Sequence, residues 1–175
     1  MTELVRLTVN GELEDLRVEG AETLAEALRG QTRLFGVREA CGIGVCGSCT
    51  VLVDGRAMSS CLMLAGLCDG LDVTTVEGLA VDGPPDAVQQ AFIDHTAFQC
   101  SFCTPGFILA TRALLAEEPR PTADRVREAL AGNLCRCGSY VKIVDAVLDA
   151  AERLSAAGPV SPATDPAPPE PPPPH

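Results

Sequence analysis

Tryptophan is absent from the sequence, and aromatic residues make up only 3% of it. Hydrophobic residues reach 46%, so a core is possible, but it has to be packed from aliphatic side chains. No apolar run approaches the roughly 20 residues of a membrane-spanning helix, and no membrane span is expected. Basic residues are few and scattered: 13 Lys and Arg stand against 24 Asp and Glu, for a net charge of −11. Nucleic-acid backbones are held by clustered Lys and Arg, so no nucleic-acid partner is expected. Met1 to Arg6 show neither a charged-then-apolar signal pattern nor a twin arginine, and a cytoplasmic location is expected. Also missing are a nucleophile–base constellation, a Walker loop and a G-x-G-x-x-G that opens a helix after a strand. Bond-changing catalysis is therefore not expected of this chain.

Cysteine, by contrast, occurs nine times in 175 residues. A reducing compartment disfavours structural disulfides, and the number is odd. Metal ligation is the better reading of most of them. It suits a chain of this length, which makes one ordinary domain or two small ones, because small domains often depend on a metal to hold together.

The first half reads as β with one short helix. Leu4 to Val9 alternates roughly, and Asn10-Gly11 signals a tight hairpin with Leu13, Leu16 and Val18 on the return strand. Thr23 to Glu26 forms a capping-box pattern opening a helix that Gly30 is expected to close. Thr50 to Val53 is a strand turned by Asp54-Gly55, and Leu71 to Val76 a last strand. A linker near Val81 to Pro85 separates this from a helical half. There Val88, Ala91 and Phe92 share a face, and Thr104-Pro105 places an N-cap and a first-turn proline before Phe107, Ile108, Leu109, Ala110, Ala113 and Leu114. Pro121-Thr122 opens a third helix that ends at Gly132, and Tyr140 to Leu154 makes a fourth. From about Ala157 to His175 the chain is rich in Pro, Ala and acid and reads as a disordered tail. The expected divisions are residues 1–78, 84–156 and the tail 157–175.

The cysteines fall into two sets. Cys41, Cys46, Cys49 and Cys61 follow C-x4-C-x2-C with a later fourth residue, the plant-type [2Fe–2S] spacing. Gly42, Gly44 and Gly47 let backbone N–H groups approach the sulfurs of an anionic cluster. A structural zinc site is the alternative, but zinc loops favour paired C-x2-C knuckles and only Cys46/Cys49 has that form. Cys100, Cys103, Cys135 and Cys137 make the second set, a C-x2-C ahead of one helix and a C-x-C ahead of another. A helix N-terminus favours an anionic cluster; on spacing alone, zinc or a dithiol redox pair stays open here. Cys68 is left over and reads as a small buried hydrophobe, although it could replace Cys61 as a ligand. His95 and His175 stand alone, suggest no Rieske site and are expected to be solvated.

Three stretches carry a resemblance: residues 38–61 (REACGIGVCGSCTVLVDGRAMSSC), 99–106 (QCSFCTPG) and 132–140 (GNLCRCGSY). Together, in this order, they resemble the iron–sulfur small subunit of the xanthine oxidase family of molybdenum hydroxylases, over about residues 3–155. The departures are Ser101, where that family commonly has Gly, and Gly138-Ser139-Tyr140, where it commonly has Thr-Gly-Tyr. The resemblance implies an α+β chain, with a β-grasp ferredoxin-like domain followed by a four-helix bundle. It implies two [2Fe–2S] clusters on the eight cysteines named above, and a heterotrimer with a molybdopterin-binding large subunit and an FAD-binding medium subunit. Electrons would pass from molybdenum through the helical-half cluster and the ferredoxin-type cluster to FAD. By the same resemblance, Gln99 and Cys137 lie near the partner's pterin. A free-standing ferredoxin-type carrier is the competing expectation, although a carrier needs only one cluster.

Overall fold

The computed structural model describes residues 2–80 and 83–156. Strands β1 (Thr2–Val9) and β2 (Glu12–Glu19) form the expected hairpin, in register from Thr2 opposite Glu19 to Val9 opposite Glu12. Its turn, Asn10-Gly11, takes positive φ at both residues (53° and 84°), as a type I′ turn requires. Val5, Leu7 and Val9 point inward from β1, and Leu16 and Val18 from β2. Leu13 does not join them and is 67% exposed. Strand side chains alternate faces, so an odd position on β2 faces away from its even-numbered core residues.

Thr23 and Glu26 form the capping box of α1 (Leu24–Ala27): the Thr23 hydroxyl accepts from Glu26 N–H at 3.2 Å, and the Glu26 carboxylate accepts from Thr23 N–H at 2.8 Å. Gly30 does not close this helix. The chain widens into a π-helical turn over Leu28–Thr32 and stops at Arg33, whose φ is 59°. Leu28 is fully buried, and its carbonyl accepts from both the Thr32 hydroxyl (2.6 Å) and the Arg33 N–H, which carries the turn through the glycine.

Strands β3 (Thr50–Val53) and β4 (Arg56–Ser59) form the second hairpin. The last strand, β5, is shorter than expected, Asp72–Thr74. Thr75 is taken out of the ladder by the Asn10 side chain, which accepts from Thr75 N–H at 2.8 Å, and a 3₁₀ turn begins at Val76. The sheet is mixed, in the order β2-β1-β5-β3-β4, with β1 and β5 parallel. Its core joins Leu7, Leu16, Val51 and Val73 to Leu24 and Leu28 of the helical segment. Each such fully buried aliphatic side chain contributes about 1.5–3 kcal/mol.

Four helices follow: α2 (Ala87–Asp94), α3 (Thr104–Glu117), α4 (Ala123–Ala129) and α5 (Tyr140–Ala156). Asp86 and Gln89 supply a capping box for α2, and Thr122 caps α4. In α3 the helix begins one residue early, with Cys103 at the N-cap and Thr104-Pro105 in the first turn. A second core gathers Val88, Ala91 and Phe92 with Phe107, Leu114, Val126, Ile143 and Val147. Helix α2 packs on α5 and α3, α4 packs on α5 and α3, and α3 also rests on β3. His95 is not merely solvated: its Nε2 lies 3.0 Å from Asp149 Oδ2, and Arg153 joins Asp149 to Asp94, tying α2 to α5. Among the described residues the architecture is α+β, a mixed sheet with five α-helices. Among the described residues no helix is long and apolar enough to cross a membrane. His175, the tail from 157 and residues 81–82 of the expected linker lie outside the described residues.

Candidate functional site

The loop from Glu39 to Cys49 connects the α1 segment to β3. Gly42, Gly44 and Gly47 all take positive φ (63°, 72° and 67°), and the loop curls its amides inward. The N–H groups of Ile43, Val45 and Cys46 point at the Cys41 sulfur, and Gly44 N–H points at Cys61. Cys61 sits in a 3₁₀ turn after β4, so the β3–β4 hairpin is what returns it to the loop. The thiols meet in pairs: Cys41 with Cys46, and Cys49 with Cys61. Donation from Ile43 N–H, then from Cys46, lowers the Cys41 pKa to about 6 as a free thiol. Burial, with Cys49 as neighbour, raises that of Cys61 to about 11.

The second set is assembled from two helix approaches. Cys100 and Cys103 precede α3, and Cys135 and Cys137 fill the turn between α4 and α5. Again the thiols pair across the site, Cys100 with Cys137 and Cys103 with Cys135. Phe102 N–H, then the Cys137 thiol, lower the Cys100 pKa. Burial, then Cys135, raises that of Cys103 to about 12. For Cys135 burial opposes ionisation, but donation from Ser139 and Cys137 N–H and from the Cys103 thiol outweighs it, and the pKa falls. Tyr140 Oη accepts from Cys135 N–H at 2.9 Å, fixing the turn.

All eight expected cysteines thus converge as two quartets, each made of two pairs. Among the described residues no three His, Cys, Asp or Glu side chains close around the space of one metal ion. A [2Fe–2S] core takes four thiolates, two for each iron, so two pairs per site are what it needs. The donor chemistry fits as well, because inward N–H groups stabilise sulfur that carries negative charge. Ser139 adds an independent sign of fit. Its hydroxyl is buried beside Cys135 without a regular hydrogen-bond partner of its own, and extra electron density on that sulfur would satisfy it. Cys68 stands apart from both quartets, 1% exposed, with its thiol donating to the Leu64 carbonyl at 3.4 Å. Gln99 is exposed and donates from Nε2 to the Cys137 carbonyl at 3.2 Å, so these two are adjacent.

The two quartets touch through their loops. Leu134 N–H donates to the Cys46 carbonyl at 2.9 Å, and the buried Asn133 amide donates to the Gly47 carbonyl at 3.0 Å. Gly106, in the first turn of α3, lies against Gly47 so closely that a Cβ there would overlap the Gly47 carbonyl oxygen. Arg38 reaches across the same seam to the Phe102 ring, 5.7 Å from its centroid. Sequence reasoning placed Gly106, Asn133 and Ser139 inside the stretches 99–106 and 132–140, and Ser139 among the departures there, but assigned none of them a contact.

Two family models match. One, described as a 2Fe-2S iron-sulfur cluster binding domain, covers residues 7–69, and the other, a [2Fe-2S] binding domain, covers residues 75–148. The nicotine 6-hydroxylase small subunit of Paenarthrobacter nicotinovorans is 49% identical over 83% of this chain and 88% of its own length. The xanthine dehydrogenase iron-sulfur-binding subunit of Escherichia coli O157:H7 is 47% identical over 83% of this chain and 92% of its own. Among solved structures, a chain of quinoline 2-oxidoreductase from Pseudomonas putida 86 superposes with a TM-score of 0.86 at 44% identity, covering 91% of this chain and 99% of that one.

Proposed function

The chain belongs to the iron–sulfur small subunits of the xanthine oxidase family of molybdenum hydroxylases, and from that premise we propose how its residues serve the complex. It is the electron-transfer subunit of an oxidoreductase, set between a molybdopterin-binding large subunit and an FAD-binding medium subunit. Two bound [2Fe–2S] clusters supply one-electron redox chemistry; the protein supplies position and electrostatics.

Cys41, Cys46, Cys49 and Cys61 hold one cluster, and Cys100, Cys103, Cys135 and Cys137 the other. Residues 1–78 act as a β-grasp ferredoxin-like domain and 84–156 as a four-helix bundle, working in the cytoplasm. The observation that carries a relay, rather than two unrelated metal sites, is the Leu134 N–H to Cys46 carbonyl bond. It joins a ligand of one quartet to the residue beside a ligand of the other, a short path of covalent bonds and one hydrogen bond. Gln99 spends one N–H on the Cys137 carbonyl and leaves the rest of its exposed amide free for the partner's pterin. On this reading the helical-half quartet faces the large subunit and the glycine-rich loop faces FAD.

Gln99→Ala tests this order. Substrate reduction of the clusters, followed by stopped-flow with rapid-freeze spectroscopy, should slow while iron content stays constant. An untouched reductive half-reaction with impaired transfer to flavin would reverse the order. Copurification separates the relay from a free carrier: a relay elutes with flavin and molybdopterin subunits, a free ferredoxin alone.

A further inference from the structure

Ser139 stands immediately before α5, where a serine hydroxyl ordinarily accepts from an N–H of the first helical turn. Here it does not. The Ser139 carbonyl accepts from Ile143 N–H at 3.0 Å, so the helix is engaged, but the hydroxyl is buried and makes no regular hydrogen bond. Its own N–H donates to Cys135 Sγ at 3.4 Å, which fixes the residue against that sulfur. The hydroxyl lies near the same atom and favours its thiolate. A protonated thiol is a poor acceptor, so the contact is weak in the metal-free site. An iron-bound thiolate is a much better one, and better still once an added electron raises the charge on the cluster.

We propose that the Ser139 hydroxyl donates to the Cys135 sulfur of the loaded second cluster and thereby raises the reduction potential of that cluster. The proposal rests on the assignment of Cys135 as a ligand. A donor that binds the reduced state more tightly favours reduction, so Ser139 pulls electrons toward the cluster nearer the large subunit. It is a tuning residue. It holds no iron and moves no proton.

The test is Ser139→Ala and Ser139→Gly in the assembled complex, with each cluster followed by electron paramagnetic resonance through a redox titration. Both variants should keep full iron content. In both, the second cluster should reduce less readily, its reduced-to-oxidised ratio at fixed poise falling about three- to tenfold, where tenfold corresponds to ~59 mV for a one-electron couple. The first cluster should not move. Pulsed resonance after exchange into heavy water should show one exchangeable proton coupling fewer at the second cluster. Equal shifts in Ala and Gly, which differ in volume, point to the hydroxyl. An unmoved potential with both clusters intact, or a shift that tracks volume with the proton coupling retained, overturns the role of Ser139 alone. Absence of a second cluster signal from the unsubstituted complex overturns the ligand assignment instead.

Discussion

The two cysteine quartets reach the same donor set by different routes. The first is largely local: three of its cysteines lie within nine residues, Cys41 to Cys49, on one glycine-turned loop, and only Cys61 has to be brought back by a hairpin. The second joins residues 100 and 103 to residues 135 and 137, and it exists only if α3, α4 and α5 pack correctly. The first site therefore depends on backbone conformation, the second on the helical core. At the seam, where Gly47, Gly106 and Asn133 meet, each site becomes part of the other's wall.

The largest effect should come from removing a ligand. Cys61→Ala should lose about two of about four irons per chain and the ferredoxin-type resonance, leaving the second cluster. Cys68→Ala should lose none, because its thiol bonds only the Leu64 carbonyl. Metal analysis and resonance on both variants check this, and the reverse pattern would exchange the two cysteines' roles. The seam comes next. In Gly106→Ala the new Cβ meets backbone of Gly47, which has no side chain to swing aside, so the halves must part. A loss of about 2–3 kcal/mol is expected from such overpacking, seen as a lower Tm, with weaker magnetic interaction between the clusters and both iron pairs retained.

A smaller change should act in the opposite direction. Ser101, between Cys100 and Cys103, has a φ of 62°. A left-handed residue with a Cβ is strained by roughly 1 kcal/mol, so Ser101→Gly should stabilise the second site by about that amount. Denaturant unfolding measures it, and a destabilised variant would show that the Ser101 side chain makes a compensating contact. The smallest effect concerns pH. Hydrogen bonds from Arg153 hold Asp149 and Asp94 below the ordinary carboxylate range. Depressed carboxyl pKa values contribute stability above the unfolded value, near pH 4, and that contribution is lost as pH falls through the folded value. Arg153→Ala should therefore move the acid unfolding midpoint of the helical half slightly upward, with little change at pH 7 beyond the loss of a partly exposed ion pair. An unchanged acid midpoint would make the network incidental.

Legibility followed the same division. Asn10-Gly11 and the Thr23–Glu26 box are local signals, and both formed as the residues suggested; the C-x4-C-x2-C loop is as local, and it sets Cys41 beside Cys46. Gly30 misled because the burial of Leu28, a tertiary effect, carried the helix past a local stop signal. Leu71 to Val76 overran because Asn10, 65 residues from Thr75, ends the strand. Leu13 lies on the return strand as expected, and strand parity turns it outward. Gly106, Asn133 and Ser139 lie within the stretches 99–106 and 132–140, but those stretches do not say what they touch. Their roles come from what faces them across the seam or the turn, which spacing does not encode.

Low-temperature electron paramagnetic resonance of the fully reduced complex tests the central claim most directly. Two quartets in touching loops predict two distinct [2Fe–2S] signals of equal intensity, each split or broadened by the other, and Gly106→Ala should reduce that mutual interaction. A single signal, or two signals with no trace of interaction, would contradict a relay built across the contact of Cys46 with Leu134.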